Sequence, residues 1–463
     1  MTQFTLREHA PSILVAALAS AFGVTLLQIT AALAVMIMAD DVTGSSGTIR
    51  LMLAVVAIVF IVIAGYVGMI VTANTFATII AGRTRTIALL RLIGATARSQ
   101  RNAVAREGLL VGIMGTVIGT VVGSLMTFAL ISIAIATDFI QPMSFQYFEP
   151  VLLIPIFGVV LTTWLASWIG SRRVLVVSPM QATGAAQEAS LDEAAGNRKR
   201  NGTAITLFVI GGILLVLGML LGLVSPFGVL IGVVGGIFSF TGLVLGAELV
   251  MPPALRLVGR MMGRSASARL AAENAVRYPE RSSRTTIGLV IGVTLITMFA
   301  VAASSFESMM IAEQEANPEA YADTDQILLV TVVIFSVLIG FSALIAAVGM
   351  VNNLSLSVLQ RTRELGLLRA LGFTASQVRR MILAESAQLT LAAVLVGLVL
   401  GTFYGWAGAQ SLLGAVSGFV FPTVPLALLG ILIAASAVLT LTASIAPSRR
   451  ATRVAPVAAL GVQ

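Results

Sequence analysis

Two stretches hold the most regular pairing of charged and apolar side chains in this chain. Arg83-Thr84-Arg85-Thr86-Ile87-Ala88-Leu89-Leu90-Arg91-Leu92-Ile93-Gly94 returns 278 positions later as Arg361-Thr362-Arg363-Glu364-Leu365-Gly366-Leu367-Leu368-Arg369-Ala370-Leu371-Gly372. Guanidinium groups stay charged and present a fork of donors, so they suit ion pairing far better than proton transfer. Ile87, Leu90 and Ile93, like Leu365, Leu368 and Leu371, recur every third residue, which predicts an amphipathic surface helix. Arg91 and Arg369 fall off that stripe, and Gly94 and Gly372 suit a helix end. This is the chemistry of docking. Bond-making chemistry has little to work with, because the chain has no Cys and one His, His9, in a polar N-terminal leader. That excludes disulfides, a catalytic thiol and a His-based triad, and no metal site is expected. His9 itself is expected to be solvated or interfacial. The sole lysine, Lys199, sits in Asn197-Arg198-Lys199-Arg200, and no Gly-x4-Gly-Lys-Ser/Thr phosphate loop occurs. The chain is therefore expected not to hydrolyse ATP and not to be an enzyme.

The elements that must position these motifs are membrane helices. The chain is 58% hydrophobic and 10% charged, against about 25% charged for an ordinary soluble globule. Apolar runs long enough to cross a bilayer, about 20 residues each, occur near 13–38, 50–80, 107–135, 150–170, 204–224, 227–255, 285–306, 327–358, 381–406 and 423–446. The first outlasts a signal-peptide core and reads as a retained helix. Ten alternating crossings place 27 of the 28 basic residues on one side, with only Arg50 opposite. That bias marks the side as cytoplasmic, with both termini on it. Because the positive charges lie in short loops instead of one patch, nucleic acid is not expected as a partner. Exterior loops are short and acidic; the longest, roughly 307–326, has room for one or two helical turns.

The internal match continues beyond the basic motif. At the same offset Glu107 pairs with Glu385, Gly119 with Gly397 and Gly123 with Gly401, while Gly23-Val24-Thr25-Leu26 pairs with Gly292-Val293-Thr294-Leu295 at 269. Each half then holds four helices and starts on the same side, so the halves are parallel repeats. The expected architecture is an all-α polytopic protein arranged 4+2+4: a first repeat over 1–180, a cytoplasmic linker over 181–203, a two-helix connector over 204–258 and a second repeat over 259–463. Gly115, Gly119 and Gly123, and Gly397, Gly401 and Gly405, step by four and predict close helix packing, between the halves on the simplest view. Glu107 and Glu385 mark the membrane entry of each third helix and are expected to pair with nearby arginines. Glu248, the one acid inside an apolar run, is a candidate for a partner or cavity. Trp164 and Trp168 are expected to anchor at the interface.

The segment Arg361–Gly372, followed by Glu385 and the glycine-stepped helix to Gly401, resembles the signature of the MacB/FtsX-like permease family of ABC transporters. The resemblance implies that each basic motif is a coupling helix seated on a separate cytoplasmic ATPase, one copy of this chain serving two ATPase subunits that bind ATP and Mg. It also implies mechanotransmission, in which ATP-driven closure moves the helices. Thr86 and Ala88 stand where the second copy has Glu364 and Gly366, so the second copy is expected to be the stronger contact. With no large exterior domain, export or extraction of a lipidic or amphiphilic substrate is the leading expectation. The alternatives are a non-transporting signal transmitter acting on an envelope protein, such as a cell-wall hydrolase, or on a sensor kinase, and an ion-coupled secondary transporter.

Overall fold

A computed structural model describes residues 6–39, 89–90, 93–137, 150–171, 198–261, 266–277, 279–316, 318 and 367–453, with most of 55–74 and 332–348. Its helices are α1 (Leu6–Ala39), α2 (Ala97–Ala136), α3 (Leu153–Gly170), α4 (Arg198–Gly222), α5 (Gly228–Leu245), α6 (Ala247–Met261), α7 (Ala266–Arg277), α8 (Pro279–Ala316), α9 (Ala375–Ser417) and α10 (Leu426–Arg453). Further apolar helical segments lie within Ile61–Asn74 and Val332–Val348, and no strand occurs among the described residues. Helix is what apolar sequence must form in lipid, where each backbone N–H and C=O needs a partner within its own segment. Six described helices are long and apolar enough to span, and four shorter apolar helices fall in the remaining runs. The chain is a helical, multi-pass membrane protein.

Three boundaries differ from expectation. The third helix of each half is longer than its apolar run: α2 has 40 residues and α9 has 43. At 1.5 Å per residue α9 measures about 65 Å, roughly twice the hydrocarbon thickness. The sixth run is two helices, because Gly246 ends α5 and a separate helix, α6, starts at Ala247. Continuous apolarity hid that break. Finally, the basic cluster Arg198-Lys199-Arg200 is the first turn of α4, not part of the linker. The exterior stretch from Glu307 to Ala316 likewise continues α8.

Within each half the first helix packs along the third and the third along the fourth. The stepped glycines make those contacts possible. A methyl group built on Gly119 would lie 2.6 Å from Ser20 Cβ, and one on Gly401 would lie 2.6 Å from the Thr294 carbonyl. Gly115 faces Ala16 and Ala17, Gly123 faces Ala21, Gly397 faces Val293, and Gly405 faces the Met298 carbonyl. Thr25 Oγ1 donates to the Gly123 carbonyl at 3.2 Å across the first of these seams. The glycines thus join first and third helices inside each half; they do not join the two halves. The halves meet instead through α1, whose Phe22 ring lies 6.4 Å from Phe299 of α8 and 5.6 Å from Phe341 in the Val332–Val348 segment. The sequence match at 269 is not carried into contacts: Gly23 approaches Pro155 on α3, whereas Gly292 approaches Ala346.

The connector hairpin α4–α5 closes as tightly, with Gly211 against Ser239 and Gly218 against Gly232. It lies on α9, where Gly222 meets Ser411 and the Ser239 and Tyr404 hydroxyls stand 2.8 Å apart. Overpacking such seams costs about 1–3 kcal/mol. Gly401→Val should therefore lower the melting temperature of the purified chain by several degrees. Gly430→Val, at a helical position with open space around it, should leave it unchanged; equal melting temperatures for the two would contradict the seam.

Candidate functional site

The basic motifs lead into α2 and α9 through the same local device. In the first copy the Ala95 N–H donates to the Leu90 carbonyl at 3.0 Å; in the second, Phe373 N–H donates to Leu368 at 3.1 Å. Gly94 and Gly372 sit between with φ of 101° and 98°. This is a helix stop in which the glycine supplies the left-handed turn that other residues adopt at a cost. Two residues later Thr96 and Thr374 start the long helices, their hydroxyls accepting from the Ser99 and Gln377 N–H groups at 3.2 Å each. In the second copy Gln377 Oε1 also accepts from the Thr374 N–H at 2.8 Å, completing a capping box. Each junction is a stiff elbow.

Around the elbows the exposed apolar ridge is not the one expected from every-third-residue spacing. Leu90 and Leu368 turn partly inward, while Leu89 and Ile93, and Leu367 and Leu371, face outward. Ile93 is 82% exposed and Leu371 72%. Four-residue spacing sets the face because the turn is helical, at 3.6 residues per turn. Leu368 and Phe373 pack with Leu270 of α7 against Val378, Met381 and Ile382 of α9, so the second elbow has its own small core. Arg369 is half-buried beside it. Arg83, Arg85, Ile87, Arg91, Arg361, Arg363, Glu364 and Leu365 lie outside the described residues.

Just inside the first elbow three helices are tied together. His9 Nε2 lies 3.5 Å from Glu107 Oε2, joining α1 to α2. His9 is only 1% exposed, which corrects its reading as a solvated leader residue: α1 already begins at Leu6. The Arg101 guanidinium stacks 4.0 Å over the Trp168 ring, joining α2 to α3. Trp168 is thus a partner for an arginine. Glu385, the counterpart of Glu107, is buried on α9. Glu248 is not inside a span; it opens α6 and forms an ion pair with Arg200 of α4. Nothing in local composition foretells pairs so far apart in sequence.

Between the halves and the connector lies a cavity of about 170 Å³, lined by Val59, Tyr66, Phe240, Met298, Phe299 and Tyr404 among others. Its tyrosine hydroxyls are occupied: Tyr66 donates to the Ile237 carbonyl at 3.1 Å and stands 2.8 Å from Thr241, and Tyr404 pairs with Ser239. An apolar cavity of this size accommodates a hydrocarbon group and stays dry.

The pattern of the FtsX-like permease C-terminal domain matches residues 58–179 and again 336–456, just over half of the chain. The chain belongs to the FtsX-like permease family. Both matched regions carry an elbow and the long helix that follows it. Among similar proteins, an uncharacterized ABC transporter permease, YknZ of Bacillus subtilis (strain 168), is 38% identical over 80 residues, 17% of this chain and 19% of the relative. The ABC transporter permease YtrF of the same organism is 27% identical over 124 residues, 24% of this chain and 28% of the relative. This FtsX-like chain spans less than a third of the length of either relative.

The elbow geometry makes a specific demand on its glycine. A left-handed backbone costs a β-carbon-bearing residue about 1–2 kcal/mol, least for Asn. Gly372→Ala should destabilise the purified chain by about that amount in thermal or denaturant unfolding, and Gly372→Asn by less. An unchanged stability in Gly372→Ala would contradict the positive φ.

Proposed function

We propose that this chain is the transmembrane permease of an ATP-binding-cassette system, driven by a separate cytoplasmic ATPase that binds ATP and Mg. The observation that carries this reading is the pair of elbows, each presenting an exposed apolar ridge and each joined by two residues to a helix longer than the membrane is thick. The ridges Leu89/Ile93 and Leu367/Leu371 would seat on two ATPase subunits, with Arg91 and Arg369 beside them. Closure of the ATPases would then push the elbows, and α2 and α9 would carry the displacement across the bilayer. The arginine-rich side, with both chain termini, is the cytoplasmic side in this reading. Names of the two Bacillus relatives, both ABC transporter permeases, support the assignment.

The test is co-purification with the ATPase. Leu371→Asp and Arg369→Glu should reduce recovery of the ATPase several-fold, and more than Ile93→Asp and Arg91→Glu, because the second elbow has the capping box and the small core that hold it in place. Leu371 and Ile93 are exposed, so the two aspartate changes spare the fold. Equal losses at the two elbows would refute the asymmetry, and no loss at either would refute docking there.

A lipidic or amphiphilic substrate is supported by the dry cavity beside the α1–α8 contact. Gly236 lines it, and a β-carbon built there would meet only the Leu215 side chain, at an ordinary 4.0 Å contact. Gly236→Phe should fill the cavity and abolish amphiphile-stimulated ATP hydrolysis in reconstituted vesicles while leaving the basal rate unchanged. Retained stimulation would rule the cavity out as the substrate site.

A further inference from the structure

Helix α6 has three distinct faces. Met251, Ala254, Leu255 and Val258 are buried, against α8 and α9, where Gln388 Nε2 donates to the Leu255 carbonyl at 2.8 Å. A second face carries Val250, Leu257 and Met261, spaced by seven and four and 37%, 52% and 80% exposed. The third carries Arg256 and Arg260, one turn apart and both exposed; among the described residues neither is in an ion pair. No charged residue interrupts the apolar ridge, and no apolar one separates the two arginines on theirs.

Its position fixes what those faces meet. One residue, Gly246, separates α6 from the end of the spanning helix α5, and the Arg200–Glu248 ion pair ties its first turn to the start of the spanning helix α4. The start of α6 is therefore at the membrane surface on the arginine-rich side. A helix there with an apolar ridge next to a cationic one lies in the interface, the ridge among acyl chains and the charges among headgroups. Two positive charges that form no ion pair with a described residue at that depth complement phosphate-bearing headgroups of net negative charge.

We propose that α6 is a binding surface for anionic phospholipid of the leaflet on the arginine-rich side, with Val250, Leu257 and Met261 in the acyl region and Arg256 and Arg260 on the headgroups. Because α6 is fastened to α9 through Gln388 and through Gly259, which approaches both Gln388 and Ala272, lipid held there steadies the long helix that rises from the second elbow. This inference rests on the membrane fold alone and is independent of the ATPase assignment.

The chain has no cysteine, so Met261→Cys gives a single labelling site in the full-length protein. With a bimane fluorophore there, the protein is reconstituted in phosphatidylcholine vesicles doped with brominated-chain phosphatidylcholine or brominated-chain phosphatidylglycerol. Both lipids should quench, and the glycerol lipid should do so at a mole fraction several-fold lower, since each arginine near an anionic surface favours it by about fivefold. Adding Arg256→Gln and Arg260→Gln should remove the difference and keep the quenching. Absence of quenching would overturn the interfacial placement. Equal quenching by the two lipids before the arginines are changed, or a difference that survives their removal, would overturn the anionic site.

Discussion

Between the left-handed glycine of each elbow and the first turn of the helix that follows, the backbone has two residues: Ala95 and Thr96 in one half, Phe373 and Thr374 in the other. Their polar groups are already committed, the first N–H to the helix that ends and the threonine hydroxyl to the helix that begins. A hinge needs backbone with unassigned partners, and this junction has little. Rotating the short helix on the long one would break several of these hydrogen bonds together, each worth about 1 kcal/mol net. Elbow and long helix therefore form one stiff piece, and under the proposed coupling everything above them in the membrane would inherit its motion.

What inherits it first is the seam between third and first helices. At Gly119 and Gly401 the backbones approach too closely for a β-carbon, so neither helix can tilt toward the other without collision. The first helices of the two halves in turn meet at Phe22 and Phe299. Under the proposed coupling, displacements that started at the two separate elbows would converge at this contact. The apolar cavity borders that centre: Gly405 faces the Met298 carbonyl across the seam and both residues line the cavity. Sliding of α9 along α8 must change the cavity's wall.

Much of this was legible in composition and periodicity. Apolar runs located ten helices because lipid permits no other local structure, and the repeated glycines announced close approach because only glycine allows it. Which helix a glycine approaches is not a local property, and the expected contact between halves was in fact a contact within them. His9 shows the same limit from the other side. In a leader with Arg7 and Glu8 it reads as solvated, but one helical start at Leu6 turns it inward to a carboxylate nearly a hundred residues away. The end of α5 was hidden for a different reason: the chain stays apolar through Gly246, and only the helix break there and the pairing with Arg200 reveal that Glu248 stands at the start of a new helix.

Duplication gave two elbows, but the surroundings make them unequal. In the first, Ala95 follows the glycine, a side chain too small to bridge back to Leu90; in the second, Phe373 packs in one cluster with Leu368 and α7. Position three of the following helix is Ser99 in one and Gln377 in the other, and only the longer side chain reaches back to close a capping box. The first half compensates further along, where His9–Glu107 and Arg101–Trp168 bind three helices together. One half is thus stiffened at its elbow and the other just beyond it. Under the proposed coupling, an identical push applied to both would meet the extra stiffening at the junction itself in the second half and one step further along in the first.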